Sequence, residues 1–568
     1  MPKSIFVSRE RQLQRLGGFL GRAMVGQGMV CFVTGEAGSG KTALVTEFAR
    51  RAQQEQEDLV VAIGQSDAQT GSGDPYLPFR EVLGQLTGDV EAKLAQGAIT
   101  KDNARRLRQL LAFSGRVLVE VGPDLIDIFL PWVGLATRAA AFAADKVGWL
   151  DRMEQMVAKP RERQKLGHSG IEQEHIFEQY TNVLNCLAEQ HPLLLVLDDL
   201  QWADIASISL LFRLGRRVGG SRILIVGTYR PEEVALGRLS TNTDRVERHP
   251  LEKVLAEFKQ YFGDIWVQLD QATEAEGRDF VDAILDTEPN QLGEGFRQAL
   301  YHHTNGHPLF TIEILRDMQE RGDLVQDDSG HWVKGPTLDW TAFPDRIEGI
   351  VEERIGRLRE ELRETLNVGS VEGEQFTAEV VARVQATDAR RLVQQLSGEL
   401  EKRHHMVSAQ GIKWVARQRL SAYQFQHNLF QAYLYNELSK AERVYLHEEV
   451  GLGLEALYSE KANEIAVQLT RHFVEAGLMK KAVYYLHQAG QQAAAQFANA
   501  EAVDYFSQAL HLLDRAEVDA AEDLQLRYDL LLGRERVYDL GGQREKQAAD
   551  LAGLERLAVC RRSRTDND

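Results

Sequence analysis

A glycine-rich run followed by lysine and threonine contains the residue types in this sequence that are best suited to chemistry. The run reads Gly35, Glu36, Ala37, Gly38, Ser39, Gly40, Lys41 and Thr42. Glycines let the backbone turn tightly, so that successive amides and the start of the next helix can point at a phosphate chain. In a loop of this spacing, Lys41 reaches the β- and γ-phosphates and the Thr42 hydroxyl binds Mg²⁺. The run therefore predicts a phosphate-binding loop, with ATP or ADP and Mg²⁺ as cofactors.

A simple glycine-rich connector is the alternative interpretation of this run. An apolar segment, 30–34, precedes it, and apolar residues at helical spacing follow it between Ala43 and Ala49. Strand, glycine loop and helix in this order form the context that a phosphate-binding loop requires. We therefore favour the phosphate-binding interpretation.

Two adjacent carboxylates follow another apolar run, 193–197. These are Asp198 and Asp199. If this strand lies in the same sheet as the glycine loop, Asp198 is the acidic ligand of Mg²⁺. Asp199 is then the catalytic group that orients and polarises the attacking water. Capping of the following helix by one of the two carboxylates is the alternative.

Arg230 follows a further apolar run, 223–227. Its planar guanidinium, always charged, can make paired hydrogen bonds to a γ-phosphate that disappear after hydrolysis. Arg230 is therefore predicted to act beside Lys41 and Asp199 as a γ-phosphate sensor. An ordinary surface arginine at a strand end is the alternative.

These residues can act together only if their strands lie side by side. Five apolar runs can form one parallel sheet: 30–34, 59–63, 193–197, 223–227 and 265–269. Ligand loops of such an α/β domain lie at the carboxyl ends of its strands. We expect a P-loop α/β domain over 1–270, with a helical insertion at about 68–180. Within the insertion, 103–150 is predicted to form two or three helices and 159–170 an exposed connector.

Four segments follow this predicted domain. Helical periodicity at 273–285, 292–304 and 309–321 predicts a helical lid over 271–343. Short helices and a polar hairpin, with strands at 406–408 and 423–425, predict a winged-helix domain with its following helices over 344–450. A tetratricopeptide-like helical array is predicted for 451–555 and a disordered tail for 556–568.

The evidence for the array is a pattern of alanines. Segments that begin at Ala482 and Ala502 share alanine at their first and eighth positions and a bulky residue at the fifth. This resembles a helix of the tetratricopeptide repeat, although the spacing is shorter than the period of about 34 residues. Coincidental alanine-rich helices are the alternative.

Composition limits the classes of function. The formal charge of −18 disfavours a protein whose main task is to hold nucleic acid by its phosphates. Three scattered cysteines, Cys31, Cys186 and Cys560, are typical of a reducing cytosol and predict a cytoplasmic location. No secretion signal is visible, and polar residues interrupt the most apolar stretch, 125–150, so no membrane span is expected.

Together these motifs resemble the signal-transduction ATPases with numerous domains, a branch of the AAA-type nucleotide switches that also includes Orc-like proteins. The resemblance runs over about 6–514. Its most specific pieces are 35–42, 193–204, 227–232, 305–309 and the array after Ala462.

The resemblance implies further nucleotide contacts. Val7 and Arg9 lie in a run similar to the family's N-terminal motif, which sits beside the adenine, although Ser8 stands where that motif usually has Gly. Pro308 belongs to the turn that brings a lid helix toward the nucleotide. The family also implies a winged helix that locks the ADP-bound form and a helical array that receives a signal. An output domain, common in the family, is not found.

The expected function is an ATP-binding, slowly hydrolysing regulatory switch, which couples its nucleotide state to the helical array and to a protein partner or self-association. A DNA-associated AAA-type ATPase of the replication-initiator or transcription-regulator type is the alternative. Salt-dependent DNA binding would separate the two. A small-molecule phosphotransferase is a third reading, which would yield a phosphorylated metabolite instead of free phosphate.

Overall fold

A parallel sheet of five strands organises the first part of the chain. The computed structural model describes residues 6–7, 9–66, 74–95, 97–130, 173–239, 246–270, 273–340, 343–344, 346–415, 418–515 and 521–565. The strands up to residue 270 are β1 (Met29–Thr34), β2 (Val60–Gln65), β3 (Leu193–Asp198), β4 (Ile223–Tyr229), β5 (Arg238–Leu239), β6 (Val246–Glu247) and β7 (Trp266–Gln268). In the large sheet the order is β2, β3, β4, β1, β7, and all pairs are parallel. The five predicted strands and their parallel arrangement are confirmed.

The apolar composition of the central strands explains their position. Every residue of β1, β3 and β4 is buried, as expected for parallel strands with helices on both faces. The helices up to residue 262 are α1 (Glu10–Met24), α2 (Lys41–Glu55), α3 (Leu77–Leu86), α4 (Glu91–Ala95), α5 (Lys101–Val121), α6 (Pro123–Phe129), α7 (Gln173–Gln190), α8 (Ile205–Arg217), α9 (Pro231–Leu236) and α10 (Pro250–Phe262). Because β1, β3 and β4 are neighbours, the loops after them meet at one edge of the sheet.

Helices also occupy the described part of the predicted insertion. Helices α5 and α6 lie within the region where two or three helices were expected, and α7 leads back to the sheet. The remainder of that region, with the predicted connector at 159–170, lies outside the described residues.

Three helices and a small hairpin form the next unit. They are α11 (Glu274–Leu285), α12 (Glu294–Thr304), α13 (Pro308–Arg321), β8 (Leu324–Gln326) and β9 (Trp332–Lys334). A capping box at Thr273 and Glu276 begins α11, which stabilises its first turn. These helices share a hydrophobic core separate from that of the sheet. The three lid helices lie within two residues of their predicted bounds.

A unit with a three-stranded antiparallel sheet follows. It contains α14 (Ile347–Gly356), α15 (Glu360–Glu372), β10 (Gln375–Thr377), α16 (Ala378–Val384), α17 (Ala389–Gln395), β11 (Val407–Val415) and β12 (Gln418–Phe425). The hairpin lies where it was predicted, but its strands are much longer than three residues. Backbone pairing continues to Val415 and Gln418, although Trp414 and Gln418 are exposed. The pattern of buried residues therefore did not show how long the hairpin is. The assignment of a winged helix stays a prediction.

The described residues from 428 onward are helical. The helices are α18 (Asn428–Glu437), α19 (Lys440–Tyr458), α20 (Ala466–Glu475), α21 (Met479–Ala495), α22 (Asn499–Arg515), α23 (Ala521–Leu540) and α24 (Arg544–Thr565). From α20 onward, each helix packs against the next. The largely helical C-terminal region is confirmed, whereas its tetratricopeptide character stays a prediction.

The spacing of the alanine pattern has a structural explanation. Ala482 and Ala502 lie on consecutive helices, α21 and α22, and both are fully buried. The ring of Phe506 on α22 is so close to Gly490 that an added Cβ there would lie 2.6 Å from it. The pattern therefore has the period of one helix and its loop, not of a helix pair.

One segment differs from its prediction. The chain was expected to be disordered over 556–568, but α24 continues to Thr565. Leucine, alanine and arginine, which favour helices, dominate this stretch, so the polar composition was misleading. Among the helices of the described residues, none is long and apolar enough to cross a membrane.

Candidate nucleotide site

The glycine loop between β1 and α2 has the backbone conformation that its glycines allow. Gly38 and Gly40 have φ angles of 78° and 92°, which only glycine adopts at little cost. Lys41 is 6% exposed, and its Nζ donates hydrogen bonds of 2.8 Å to the carbonyl oxygens of Gly35 and Glu36. Burial lowers the pKa of Lys41, and the nearby Arg230 lowers it further. The lysine is thus held inside the loop, where an incoming phosphate would replace its carbonyl partners.

The loop also contains a polar atom that fits a phosphate. Ser39 Oγ is buried and has no hydrogen-bond partner among the residues that the structure describes. Gly35 has no room for a side chain, since an added Cβ would lie 2.5 Å from this oxygen. A phosphate oxygen could accept the unused hydroxyl proton. The residues present therefore fit the phosphate chain of a nucleotide.

Thr42 and Asp198 come together as a candidate magnesium site. The Thr42 hydroxyl donates to Asp198 Oδ2 at 2.8 Å, and the Thr228 hydroxyl donates to Asp198 Oδ1. Burial, and then the neighbouring Asp199, raises the pKa of Asp198 to about 6. Hydroxyl and carboxylate oxygens suit Mg²⁺, which usually takes only one or two protein ligands and completes its shell with phosphate and water.

Asp199 lies next to this site in an unusual backbone conformation. Its φ is 56°, in the left-handed region that non-glycine residues seldom adopt. Its amide donates to Thr228 Oγ1 at 2.9 Å, and its Oδ1 accepts a 2.8 Å hydrogen bond from Gln201 Nε2. Gln201 Oε1 in turn accepts from the Arg230 amide at 3.2 Å. Gln201 therefore orients the Asp199 carboxylate, a role that the sequence did not suggest.

Arg230 lies at the same edge of the sheet but already has a partner. Its Nη1 donates to Glu233 Oε1 at 2.7 Å, one turn along the same helix. Its charge still acts on Lys41, whose pKa it lowers. The Arg230 Nε has no hydrogen-bond partner among the described residues, so the guanidinium still has donors to offer a γ-phosphate.

The lid contacts the phosphate loop directly at the start of α13. Pro308 is the first residue of this helix, and the Leu309 amide donates to Gly38 O at 3.3 Å. His307 forms a hydrogen bond with the backbone of Ala37. An added Cβ on Gly38 would lie 2.7 Å from Leu309 Cβ. The loop and the lid are therefore in close contact.

Residues before α1 join the sheet to the lid at the same place. Arg9 donates to Leu269 O at 3.1 Å and to Ser39 O at 3.4 Å, and Val7 packs against the lid core. Asp270, which the sequence analysis did not single out, accepts a 3.0 Å hydrogen bond from the Glu36 amide. Its position just after β7 could have suggested it, since ligand loops follow the strands of such sheets.

His427 is the main residue that sequence reasoning missed. It precedes α18, and its Nδ1 accepts a 3.2 Å hydrogen bond from the Leu429 amide. Burial lowers its pKa to about 3, followed by the effects of Arg230, His307 and Lys41. These three groups surround the phosphate loop, so His427 brings the domain of the long hairpin to the same site. Nothing in its local sequence pattern marks this position.

The structure thus brings together all the residues that were predicted for the nucleotide site. The loop 35–42, Asp198, Asp199 and Arg230 lie at the edge formed by β1, β3 and β4, and Val7, Arg9 and Pro308 lie where the lid meets this edge. Their roles in binding and catalysis are taken up below.

Comparisons with known proteins agree with this geometry. Residues 5–226 match the family model described as AAA ATPase domain. An uncharacterized protein of Rhizobium meliloti (strain 1021) is 22% identical over 527 residues, which make up 92% of this chain and 44% of that protein. The chain therefore spans less than half the length of this curated relative.

Two solved structures are similar at a lower level. One is a signal transduction ATPase with numerous domains and a tetratricopeptide repeat sensor from Pyrococcus horikoshii, with 14% identity, a TM-score of 0.42, and coverage of 100% of this chain and 66% of that chain. The other is Drosophila ORC bound to DNA, with 11% identity, a TM-score of 0.20, and coverage of 77% and 87%. Neither similarity is high enough for a function to be inferred from it.

Proposed function

We propose that this chain is an ATP-binding and slowly hydrolysing regulatory switch of the signal-transduction type. The observation that carries the proposal is the shared phosphate site: Lys41 of the sheet, His307 of the lid and His427 of the hairpin domain lie within electrostatic reach of one another. A nucleotide bound there would contact all three units. Its binding or hydrolysis would therefore change the free energy of one domain arrangement relative to another.

The residues have distinct tasks in this scheme. Thr42 and Asp198 hold Mg²⁺, which when bound neutralises charge on the phosphates. Lys41 and the loop amides bind the phosphate chain, while Val7, Arg9 and Pro308 form the side of the site toward the base.

Asp199 is the group that orients and polarises water. Its carboxylate can accept a proton from the attacking water, and Gln201 holds it in place by donating to Oδ1. His307 and His427 keep the site closed on the side away from the sheet. Burial lowers the pKa of both histidines, so both are neutral at pH 7 and can donate one N–H each.

The helical array is the proposed sensor and the surface for a protein partner or for self-association. Moving a two-state equilibrium from mostly closed to mostly open requires a differential binding free energy of roughly 5 kcal/mol. Several charged phosphate contacts can supply that amount. Because the described cysteines, Cys31 and Cys186, are free thiols, we propose a cytoplasmic location.

Nucleotide binding and hydrolysis by point variants test the proposal. Lys41→Ala is expected to abolish binding of ATP and ADP, whereas Asp199→Asn should bind ATP but release no phosphate. Lys440→Ala, at an exposed lysine on α19, is the matched control and should behave as the parent. If Asp199→Asn hydrolyses ATP at the parent rate, Asp199 is not the water-activating group.

The size of the purified protein tests the switch itself. A tightly held ADP after purification, and an increase in size with a non-hydrolysable ATP analogue, are the expected results. A monomer that is indifferent to nucleotide would contradict the proposal. DNA binding that weakens steeply with salt would favour the DNA-associated alternative instead.

A further inference from the structure

The helical array reaches into the ATPase domain at the start of α8. Oε1 of Glu501, on α22, accepts a 2.9 Å hydrogen bond from the Ala206 amide, across 295 positions of the chain. Asp204 caps the same helix and accepts a 2.8 Å hydrogen bond from the Ser207 amide. The free amides of one helix N-terminus are therefore divided between a carboxylate of the ATPase domain and one of the array.

This helix start is joined to the candidate catalytic carboxylate by a short, tightly bonded segment. The Trp202 amide donates to Asp199 O at 2.9 Å, and the Ala203 amide donates to Leu200 O at 3.1 Å. Asp204 follows immediately and begins α8. A displacement of the α8 N-terminus would therefore be transmitted to Asp199 through a turn that has little freedom to absorb it.

The two carboxyl groups at this contact are both inside the protein. Asp204 is 3% exposed and Glu501 is 2% exposed, and Glu501 Oε2 has no hydrogen-bond partner among the described residues. Burial, and then Asp204, raises the pKa of Glu501 to about 8, and burial also raises the pKa of Asp204. Two neighbouring buried carboxyls cannot both be charged without a large cost.

Among the described residues, the charged neighbour that shifts the pKa of Glu501 is Asp204, another acid. The tyrosines Tyr76 and Tyr505 also interact with the pair, and burial raises the pKa of both. Further out, Asp504 and Asp74 act on Tyr505, and the Asp74 carboxylate is paired with Arg80. The docked contact therefore retains a proton at neutral pH, which the pair would release when α22 leaves and both carboxyls meet water.

We propose that Glu501 is a positioning residue for the ATP site: by completing the N-terminal cap of α8, the array holds the segment 199–204 and with it the water-activating Asp199. This inference rests on the proposed function, because it assigns the array a direct mechanical connection to hydrolysis. Departure of the array would leave the Ala206 amide without its carboxylate partner and free the turn that orients Asp199.

Amide hydrogen exchange at residues 205–208 of the full chain tests the contact without any nucleotide. In Glu501→Ala, the exchange of the Ala206 amide should be about tenfold faster than in the parent, since a buried hydrogen bond to a helix terminus is lost. Glu501→Gln can still accept from Ala206 and should retain protection. Glu545→Ala removes an exposed carboxylate of the same array and serves as the control. Unchanged exchange in Glu501→Ala would overturn the inference.

The rate of ATP hydrolysis tests the positioning role. Glu501→Ala should change kcat at least fivefold while Glu501→Gln stays near the parent. Equal rates in the two variants would show that the contact is structural only. If neither the parent nor any variant binds ATP, the proposed function is wrong. The exchange experiment would still show whether Glu501 bonds to the Ala206 amide.

A pH series gives a readout that a purely structural contact would not move. Because docking raises the Glu501 pKa from an ordinary 4.5 to about 8, the docked form binds the additional proton. The free energy that this proton contributes to docking is fully present below pH 4.5 and is lost as the pH rises through 8. After correction for intrinsic exchange, protection of Ala206 in the parent should weaken between pH 6 and 8, and that in Glu501→Gln should not. Equal pH dependence in both proteins would contradict the shared proton.

Discussion

Replacing Gly38 by alanine tests whether the contact between the lid and the phosphate loop holds the nucleotide site closed. The φ angle of Gly38 is +78°, and an added Cβ would lie 2.7 Å from Cβ and Cδ2 of Leu309 and 3.1 Å from Cε1 of His307. Leu309 Cβ is attached directly to the backbone of α13. The overlap can therefore be relieved only by moving the helix away from the loop.

The free-energy cost of Gly38→Ala has two parts. A left-handed conformation costs a non-glycine residue about 1–2 kcal/mol, and overpacking at a close contact adds about 1–3 kcal/mol. Gly40 is a matched control, because its φ is +92° but an added Cβ would meet no atom within 4 Å. Gly38→Ala and Gly40→Ala should therefore share the backbone cost, and their difference of about 1–3 kcal/mol measures the collision with the lid. This corresponds to a fall of about fivefold to 150-fold in the ratio of closed to open forms.

Amide hydrogen exchange without nucleotide is the suitable assay, since an unfolding midpoint of so large a chain would not report on the lid alone. The Leu309 amide donates to Gly38 O, so its exchange reports the contact directly. We expect it to exchange about tenfold faster in Gly38→Ala than in Gly40→Ala, while amides in the middle of α13 stay protected in both. Equal exchange of Leu309 in the two variants would refute the view that the lid rests on Gly38.

Thr228→Val should weaken Mg²⁺ binding, because the Thr228 hydroxyl donates to Asp198 and accepts from the Asp199 amide. Valine keeps the shape but provides neither bond, so the pKa of Asp198 should rise further above about 6. The Mg²⁺ concentration for half-maximal ATPase activity at pH 7 should increase about tenfold, with Thr228→Ser as control; an unchanged Mg²⁺ requirement would speak against this network. Acid should destabilise the α19–α20 junction, where the Nδ1 atoms of His447 and His472 lie 2.9 Å apart in the core. Burial lowers the pKa of His447 from 6.5 to about 3, so the unfolded chain binds more protons and stability falls as the pH drops from 6.5 to 3. At about 1.36 kcal/mol per pH unit, the full loss is about 5 kcal/mol. Amide exchange in α20 should show it. Burial also lowers the pKa of His472, so the slope in His447→Phe should be smaller than in the parent but not absent, and a slope as steep as the parent's would contradict this origin.

Sequence reasoning was most successful where a local pattern determines a local structure. The apolar runs at 30–34 and 193–197 became strands because residues buried on both faces of a parallel sheet must be almost continuously apolar. The three lid helices were found from their periodicity to within two residues. The disordered tail predicted at 556–568 was wrong over 556–565, because charge suggested disorder although the same residues favour a helix.

Contacts between distant segments were beyond such reasoning. The Arg230 side chain could be assigned to the edge of the sheet, but not the hydrogen bond from its amide to Gln201, which lies 29 residues earlier. His427 has no recognisable local pattern, and only the path of the hairpin domain brings it to Lys41.

By itself, the sequence determined the glycine loop, the five strands and the two carboxylates at the end of β3. The reason is that glycine spacing and apolar runs act through backbone conformation and burial, which are local. Tertiary structure alone decided which distant groups share the site. The contact of Leu309 with Gly38 and the placing of Glu501 on the Ala206 amide depend on the packing of whole domains. Domain packing depends on the surfaces of many residues at once, so it cannot be predicted from any short stretch of sequence.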